Sequence, residues 1–312
     1  MRQLRWNVSF CAKSRRNDHP DFKPPKTQKA SETRVGNGKK EQKASKRKRK
    51  ARLSVFDVSQ LVVERGIRTR TELLVLAKSQ KNEGKTDLAE FIGNRGYKAG
   101  DEALTIGWDI EEAPSNLQRS QRTRMEILHA VKHQDCVEGC NTQWLCMARD
   151  ILQRNGISET EFAEAVRTLL IKGRGKSRNI LLIGPRNCGK TFLLNPLNTI
   201  YRTFTNPATT SFAWVGAELC EVIFLNDFRW LEKIIPWHDL LLLLEGQTVH
   251  LPAPKSHYSK DIEFKHDAPI FCTGKEEIVF VRGGTIDSME TDMMSCRWCI
   301  YRFHVQIAPS EQ

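Results

Sequence analysis

A chain of 312 residues is long enough for one sizeable core and a smaller module. Its hydrophobic share of 39% is low for a chain packed from end to end, so part of it is expected to lie outside any core. The net charge of +12 is concentrated at one end: residues 1–53 hold 18 Lys and Arg against 4 Asp and Glu, and the rest is close to neutral. Arg2, Arg5, Lys13, Arg15 and Arg16 interrupt the first twenty residues, and the longest apolar stretch is Leu240–Leu244. Neither a secretory signal nor a membrane span is therefore expected. Nine cysteines in such a chain read as thiols or metal ligands of a reducing interior.

Residues 3–10 alternate Leu4, Trp6, Val8 and Phe10 as a short strand does. Residues 12–53 are rich in Lys, Arg, Ser, Pro, Asn and Gly, and too poor in large apolar groups to offset the entropy of ordering. They are expected to be a disordered tail. Its dense run Lys46-Arg47-Lys48-Arg49-Lys50-Ala51-Arg52 reads as a nuclear-localisation signal, a phosphate-binding arm, or simply a solvated tail. The nucleus is the expected location, with the cytoplasm as the other choice.

From Leu53 the pattern turns helical. Phe56, Val58, Leu61 and Val62 mark one helix, Thr69 begins a second through Leu76, and Asp87 caps a third ending at Gly93. Residues 119–133 and 141–155 are amphipathic, and Ser158 with Glu161 forms a capping box for a helix reaching Lys172. Residues 54–172 are thus expected to be a helical module, with subunit contacts in an oligomer as its expected role. Lys172–Ser177 reads as a flexible basic hinge. Beyond it, Asn179–Ile183, Ser211–Val215, Val222–Asn226, Pro269–Thr273 and Arg297–Val305 are β-type runs separated by turns and by a helix over Pro236–Glu245. Residues 173–305 therefore predict a three-layer α/β domain, with 306–312 as a tail.

The run Gly184-Pro185-Arg186-Asn187-Cys188-Gly189-Lys190-Thr191 satisfies G-x-x-x-x-G-K-[ST] in full, between a buried-strand run and a helix-compatible stretch. Glycines let such a loop turn its N–H groups inward on phosphate oxygens, and the following helix adds its positive end. Lys190 then reaches the β- and γ-phosphates and Thr191 ligates magnesium, so ATP and Mg2+ are the expected ligands. Pro196 predicts a kink or early end in that helix. Val222–Asn226 carries Asp227 at its carboxyl end, where an acid holds magnesium and activates water. Asn226 stands beside it where a second acid is usual, and an amide cannot serve as a base.

This order of motifs resembles the superfamily 3 helicase domain of parvovirus-type and circular single-stranded-DNA-virus replication proteins, and of their mobile-element relatives in animal genomes. The resemblance covers residues 179–305 and implies a P-loop NTPase of AAA+-like architecture. It also implies an ATP-dependent DNA helicase working as a ring, a hexamer on single-stranded or forked DNA. Glu245–Leu251 followed by Lys255 looks like the motif whose hairpin grips DNA, with His257 and Lys260 as neighbours; without the family it is a Pro-containing charged loop. Lys275 stands at the sensor asparagine position. Arg297 matches the arginine finger that reaches a neighbour's ATP, with Arg302 as the reserve. The His-hydrophobic-His pair of the family's nickase domain is missing, so nicking is not expected. Asn226 and Lys275 depart from the family pattern and bear on hydrolysis more than on binding. A hydrolysis-impaired remnant serving as an interaction module is the competing expectation.

His129, His133, Cys136 and Cys140 are zinc-competent ligands, the two His on one helical face and the two Cys in the following turn. The spacing is unfamiliar, and the Cys pair serves equally well as a helix-to-helix contact. Cys188, inside the phosphate loop, is a point open to oxidation.

Overall fold

The computed structural model describes residues 52–132, 142–207, 212–253 and 261–308. The N-terminal strand and tail, three of the four zinc candidates (His133, Cys136, Cys140) and Lys255, His257 and Lys260 lie outside them. The described residues fall into two compact units that divide between Gln121 and Arg122. No helix among them is long and apolar enough to cross a membrane.

The first unit is helical: α1 (Val55–Glu64), α2 (Arg70–Asn82), α3 (Asp87–Arg95) and α4 (Tyr97–Ser120). Ser54 and Thr69 each accept from the third helical N–H while Asp57 and Glu72 reach back to the cap N–H, so the second helix starts at the expected Thr69 and the first at Ser54. Val58, Val62, Leu73, Leu88, Phe91, Ala103 and Leu104 form its core. The Trp108 indole donates to the Ile67 carbonyl at 2.7 Å, and the Arg68 guanidinium lies over its ring. Residues 97–118 carry no separate helix signal in the sequence; they belong to α4, which runs through Pro114. Its buried positions Ala99, Gly100, Ala103 and Gly107 are small, which lets α4 pack closely on α1 without a conspicuous apolar stripe.

The second unit begins with α5 (Arg124–Lys132), α6 (Gln143–Arg154) and α7 (Glu159–Lys172). These were expected to belong with the preceding helices, with the boundary at the hinge. Instead Ile127, Leu128, Ile151, Leu152, Phe162, Val166, Leu169 and Leu170 share one cluster with strand residues Ile180, Leu182, Phe224 and Phe271. Arg124 reinforces this. Its guanidinium makes a bidentate pair with Asp267 at 3.0 and 2.7 Å and donates to the Leu170 carbonyl at 2.7 Å.

The hinge is likewise a structural joint. Arg174 is 2% exposed, and its guanidinium donates to the carbonyls of His266, Leu243 and Phe264 while lying over the Phe264 ring. Burial pulls its pKa down to about 10, which leaves it charged at neutral pH. A cation held on three carbonyls fixes the segment that composition alone marked as flexible.

The sheet consists of β1 (Asn179–Ile183), β2 (Thr203–Thr205), β3 (Val222–Leu225), β6 (Ile270–Gly274) and β9 (Trp298–Arg302), all parallel, in the order β2-β3-β6-β1-β9. Helix α8 (Lys190–Ile200) follows β1, α9 (Trp237–Glu245) follows β3, and α10 (Ser288–Ser295) precedes β9. β4 (Val249–Leu251) and β5 (Ile262–Phe264) make one antiparallel pair, β7 (Val281–Arg282) and β8 (Thr285–Ile286) another. Alternate strand residues face opposite ways: Ile180, Leu182, Phe224 and Phe271 pack towards α5–α8, whereas Leu181, Ile183, Ile223, Leu225 and Cys272 pack towards α9. Both faces are covered, which is why these strands read as unbroken apolar runs.

Two expectations are corrected here. Ser211–Val215 was read as a strand; Phe212–Val215 is a run of turns whose buried Trp214 donates to the Ile234 carbonyl. The edge strand is Thr203–Thr205, too short for periodicity to signal. Pro196, expected to kink or end its helix, sits within an α8 that continues to Ile200. Proline supplies no N–H for the Phe192 carbonyl four residues back. The Trp144 indole supplies one instead, at 3.3 Å.

Candidate nucleotide-binding site

The site is assembled at the carboxyl ends of β1, β6 and β3, which lie side by side in that order. In open parallel sheets this is the edge where ligands bind.

After Ile183 the chain curls through Gly184–Gly189 and enters α8 at Lys190. Gly184 has φ +148°, and a Cβ there would stand 2.2 Å from the Phe303 carbonyl oxygen. Gly189 has φ +84° and presses against Ile151 of α6, 2.7 Å from where a Cβ would be. Both positions thus require glycine for conformation and for space. The Lys190 ammonium is folded into the loop, donating to the carbonyls of Gly184 at 2.8 Å and Pro185 at 2.6 Å. It also lies 3.3 Å from the Cys188 sulfur, whose thiol donates to the Pro185 carbonyl. Cys188 is 1% exposed, so an oxidant reaches it only if the loop opens.

Beside the loop, the Thr191 hydroxyl donates to the Asn226 carboxamide oxygen at 2.8 Å, and Thr273 of β6 donates to the same oxygen at 2.9 Å. Asn226 is held by its backbone as well: its N–H donates to Asn206 Oδ1 at 2.7 Å and its carbonyl accepts from Asn206 Nδ2 at 2.9 Å. Asp227 follows in the left-handed region at φ +48°, with its N–H donating to Thr273 Oγ1 at 2.8 Å. A non-glycine residue in that conformation is strained and tends to mark a functional turn. Asp227, Arg186, Arg229, Lys275 and Glu277 line an open polar cleft of about 390 Å³.

The donor set fits a triphosphate with a divalent cation: a glycine-shaped loop, a lysine ammonium within it, a helix N-terminus, a hydroxyl and a nearby carboxylate. Thr273 and Asn206 were missed in the sequence. Thr273 was visible as the polar residue of the apolar run Pro269–Thr273, but only the sheet order puts β6 between β1 and β3. Lys275, assigned as the sensor, lies exposed in the cleft just beyond β6, and it is Thr273 that touches the Asn226–Asp227 turn.

Arg297 requires correction. It precedes Trp298, which pairs with Asn179 at the amino end of β1, so it stands at the opposite end of the sheet from the loop. It is 8% exposed; its guanidinium donates to the carbonyls of Leu241 and Met293 and pairs with Glu245 at 2.5 Å. An arginine so bound is part of the core and is not free to reach a neighbouring subunit. Arg302 pairs in register with Ile183 at the loop end; it is exposed and forms an ion pair with Glu277.

His129 lies in the last turn of α5, and among the described residues no three His, Cys, Asp or Glu are gathered to hold a metal. The Cys272 thiol is pushed well above its ordinary pKa by complete burial, and Cys220 is pushed up to about 12. Neither is a ready thiolate.

No family model and no curated protein matches the chain. Among solved structures it is similar to the helicase of JCV bound to N-(4-(2-(thiazolo[5,4-c]pyridin-2-yl)phenoxy)phenyl)acetamide, with a TM-score of 0.45 and 12% identity, over 82% of this chain and 78% of that one.

Proposed function

We propose that this chain is an ATP-dependent motor on nucleic acid, a DNA helicase or translocase of the superfamily 3 type that assembles as a ring, with a hexamer as the expected state. The observation that carries the nucleotide part is the meeting of Lys190, Thr191, Asn226, Asp227 and Thr273 at three adjacent strand ends. In this reading Gly184–Gly189 cradle the phosphates, Lys190 leaves its loop carbonyls for the β- and γ-phosphates, and Thr191 and Asp227 hold magnesium. Asp227 also orients the attacking water. Lys275 and Arg186 face the terminal phosphate from the cleft, and Arg302 replaces Arg297 as the arginine presented to a neighbour.

The antiparallel pairing of Val249–Leu251 with Ile262–Phe264 supports the reading of this segment as the DNA-gripping motif, with Lys255, His257 and Lys260 between the two strands in sequence as its DNA contacts. The basic N-terminal segment adds salt-sensitive, sequence-independent affinity and directs the protein to the nucleus.

One observation favours a second reading, a nucleotide- and DNA-binding remnant with little hydrolysis. The Thr191 hydroxyl is met by the amide of Asn226, not by a carboxylate. ATP turnover measured with and without single-stranded DNA, alongside native mass, separates the two. Stimulated turnover that vanishes in Lys190→Ala, in particles several subunits large, supports the motor. Turnover equal to that of Lys190→Ala, with nucleotide still bound by the unmodified chain, supports the remnant.

A further inference from the structure

We propose that Asn155 is a positioning residue for the phosphate loop, acting through a strap formed by residues 303–308. This rests on the reading of Gly184–Thr191 as a nucleotide site. The strap leaves β9 after Arg302 and runs along the outer side of the loop. Its Phe303 N–H donates to the Ile183 carbonyl at 2.8 Å, and the Phe303 carbonyl packs on Gly184. Further on, the Gln306 side-chain amide donates to the Arg186 carbonyl at 3.1 Å, and the Ile307 N–H donates to the Asn187 carbonyl at 2.7 Å. Asn187 sits in the left-handed region at φ +58°, which asparagine adopts more readily than other non-glycine residues, so the loop turns sharply here. The two carbonyls held by the strap belong to the stretch whose amides must turn inward for phosphate.

One side chain ties the middle of the strap to α6. Asn155, at the end of α6, accepts through Oδ1 from both the His304 N–H at 2.7 Å and the Val305 N–H at 3.0 Å. Its Nδ2 donates back to the Ile151 carbonyl at 2.8 Å, which caps the helix. The Ile151 side chain in turn abuts Gly189. The end of α6 therefore meets the phosphate loop from two sides: directly at Gly189, and through the strap at Arg186 and Asn187. Any shift of α6 changes the loop's curvature, so nucleotide affinity is coupled to this helix.

The test compares Asn155→Leu, which removes the acceptor, with Asn155→Asp, which keeps it and exchanges the helix-capping donor for a charged oxygen beside the Ile151 carbonyl. Gln306→Ala, at an exposed position, loosens the strap without touching α6. Binding of a fluorescent ATP analogue with magnesium is expected to weaken about tenfold in Asn155→Leu and about threefold in Gln306→Ala, while Asn155→Asp stays near the unmodified chain. Hydrogen exchange of a peptide covering residues 183–190 is expected to quicken in the first two variants and not in the third, with or without nucleotide. Exchange unchanged in Asn155→Leu overturns the proposal, as does loop exchange that quickens in Asn155→Leu but not in Gln306→Ala. If the unmodified chain binds no nucleotide, the phosphate-site reading falls, and the exchange comparison still decides whether Asn155 shapes the loop.

Discussion

The Thr191 hydroxyl and the Asn226 carboxamide oxygen lie 2.8 Å apart, joining the first turn of α8 to the end of β3. Thr273 donates to the same oxygen, so both neighbours offer donors and a carboxylate would be accepted there without losing either bond. Asn226→Asp is expected to keep the fold and raise magnesium-dependent ATP turnover by about tenfold or more, because charge is added where the metal and developing charge are stabilised. Steady-state hydrolysis across a magnesium titration checks this. An Asp variant no faster than the parent would mean that Asn226 does not limit hydrolysis.

Lys190 ties the loop together as well as being the expected phosphate ligand. Lys190→Ala removes donors to the Gly184 and Pro185 carbonyls and a positive charge. Nucleotide affinity is expected to fall by about a hundredfold, the scale of a lost charge-assisted contact of roughly 2–3 kcal/mol. Titration calorimetry reads it. Undiminished affinity would place the nucleotide elsewhere.

For Arg297 the expected phenotype is unfolding, not a silent active site. Both it and Glu245 are largely buried, and Arg297→Met leaves the carboxylate and the Leu241 and Met293 carbonyls without their donor. Breaking such a pair costs about 3–5 kcal/mol. Chemical denaturation should show it in the isolated subunit. A stable Arg297→Met protein lacking only turnover would restore the finger assignment.

Trp144 and Pro196 make a compensating pair that a double-mutant cycle can measure. Trp144→Phe keeps the stacking on Phe192 and removes the N–H that satisfies its carbonyl. A loss of about 1 kcal/mol is expected, and Pro196→Ala in the same chain should recover much of it by restoring the helical N–H. Additive effects of the two substitutions would sever the link.

Acid stability follows from Asp267. Hydrogen bonds from Arg124 hold its carboxyl below the ordinary 3.8, against the opposing effect of burial. The unfolded chain therefore takes up this proton first as pH falls. The contribution is complete above the ordinary carboxylate pKa and is lost as pH drops through the folded value. With the Asp267 side chain 61% exposed, screening keeps it to about 1 kcal/mol or less. Asp267→Asn should flatten the stability profile on that acid flank and leave its slope near neutrality alone; an unchanged acid flank would mean that the pair is inert.

The chain's own order of residues was enough for the elements whose signals are local. Ser54, Thr69 and Ser158 cap helices with acceptors at fixed spacing, and Asn179–Ile183 followed by Gly184–Thr191 declares a strand, a loop and a helix within a dozen residues. Such features depend on neighbours in sequence, so no knowledge of the fold is needed to see them. The fate of the arginines was decided only in three dimensions. Arg174, Arg297 and Arg302 look alike along the chain, but two are bound to carbonyls inside the core and one is exposed beside the loop. The same holds for Thr273, brought between β1 and β3 by the strand order, and for Asn155, whose partners lie about 150 residues away. Burial and long-range hydrogen bonds are properties of packing, and packing is fixed by the sheet order and the helices that cover it.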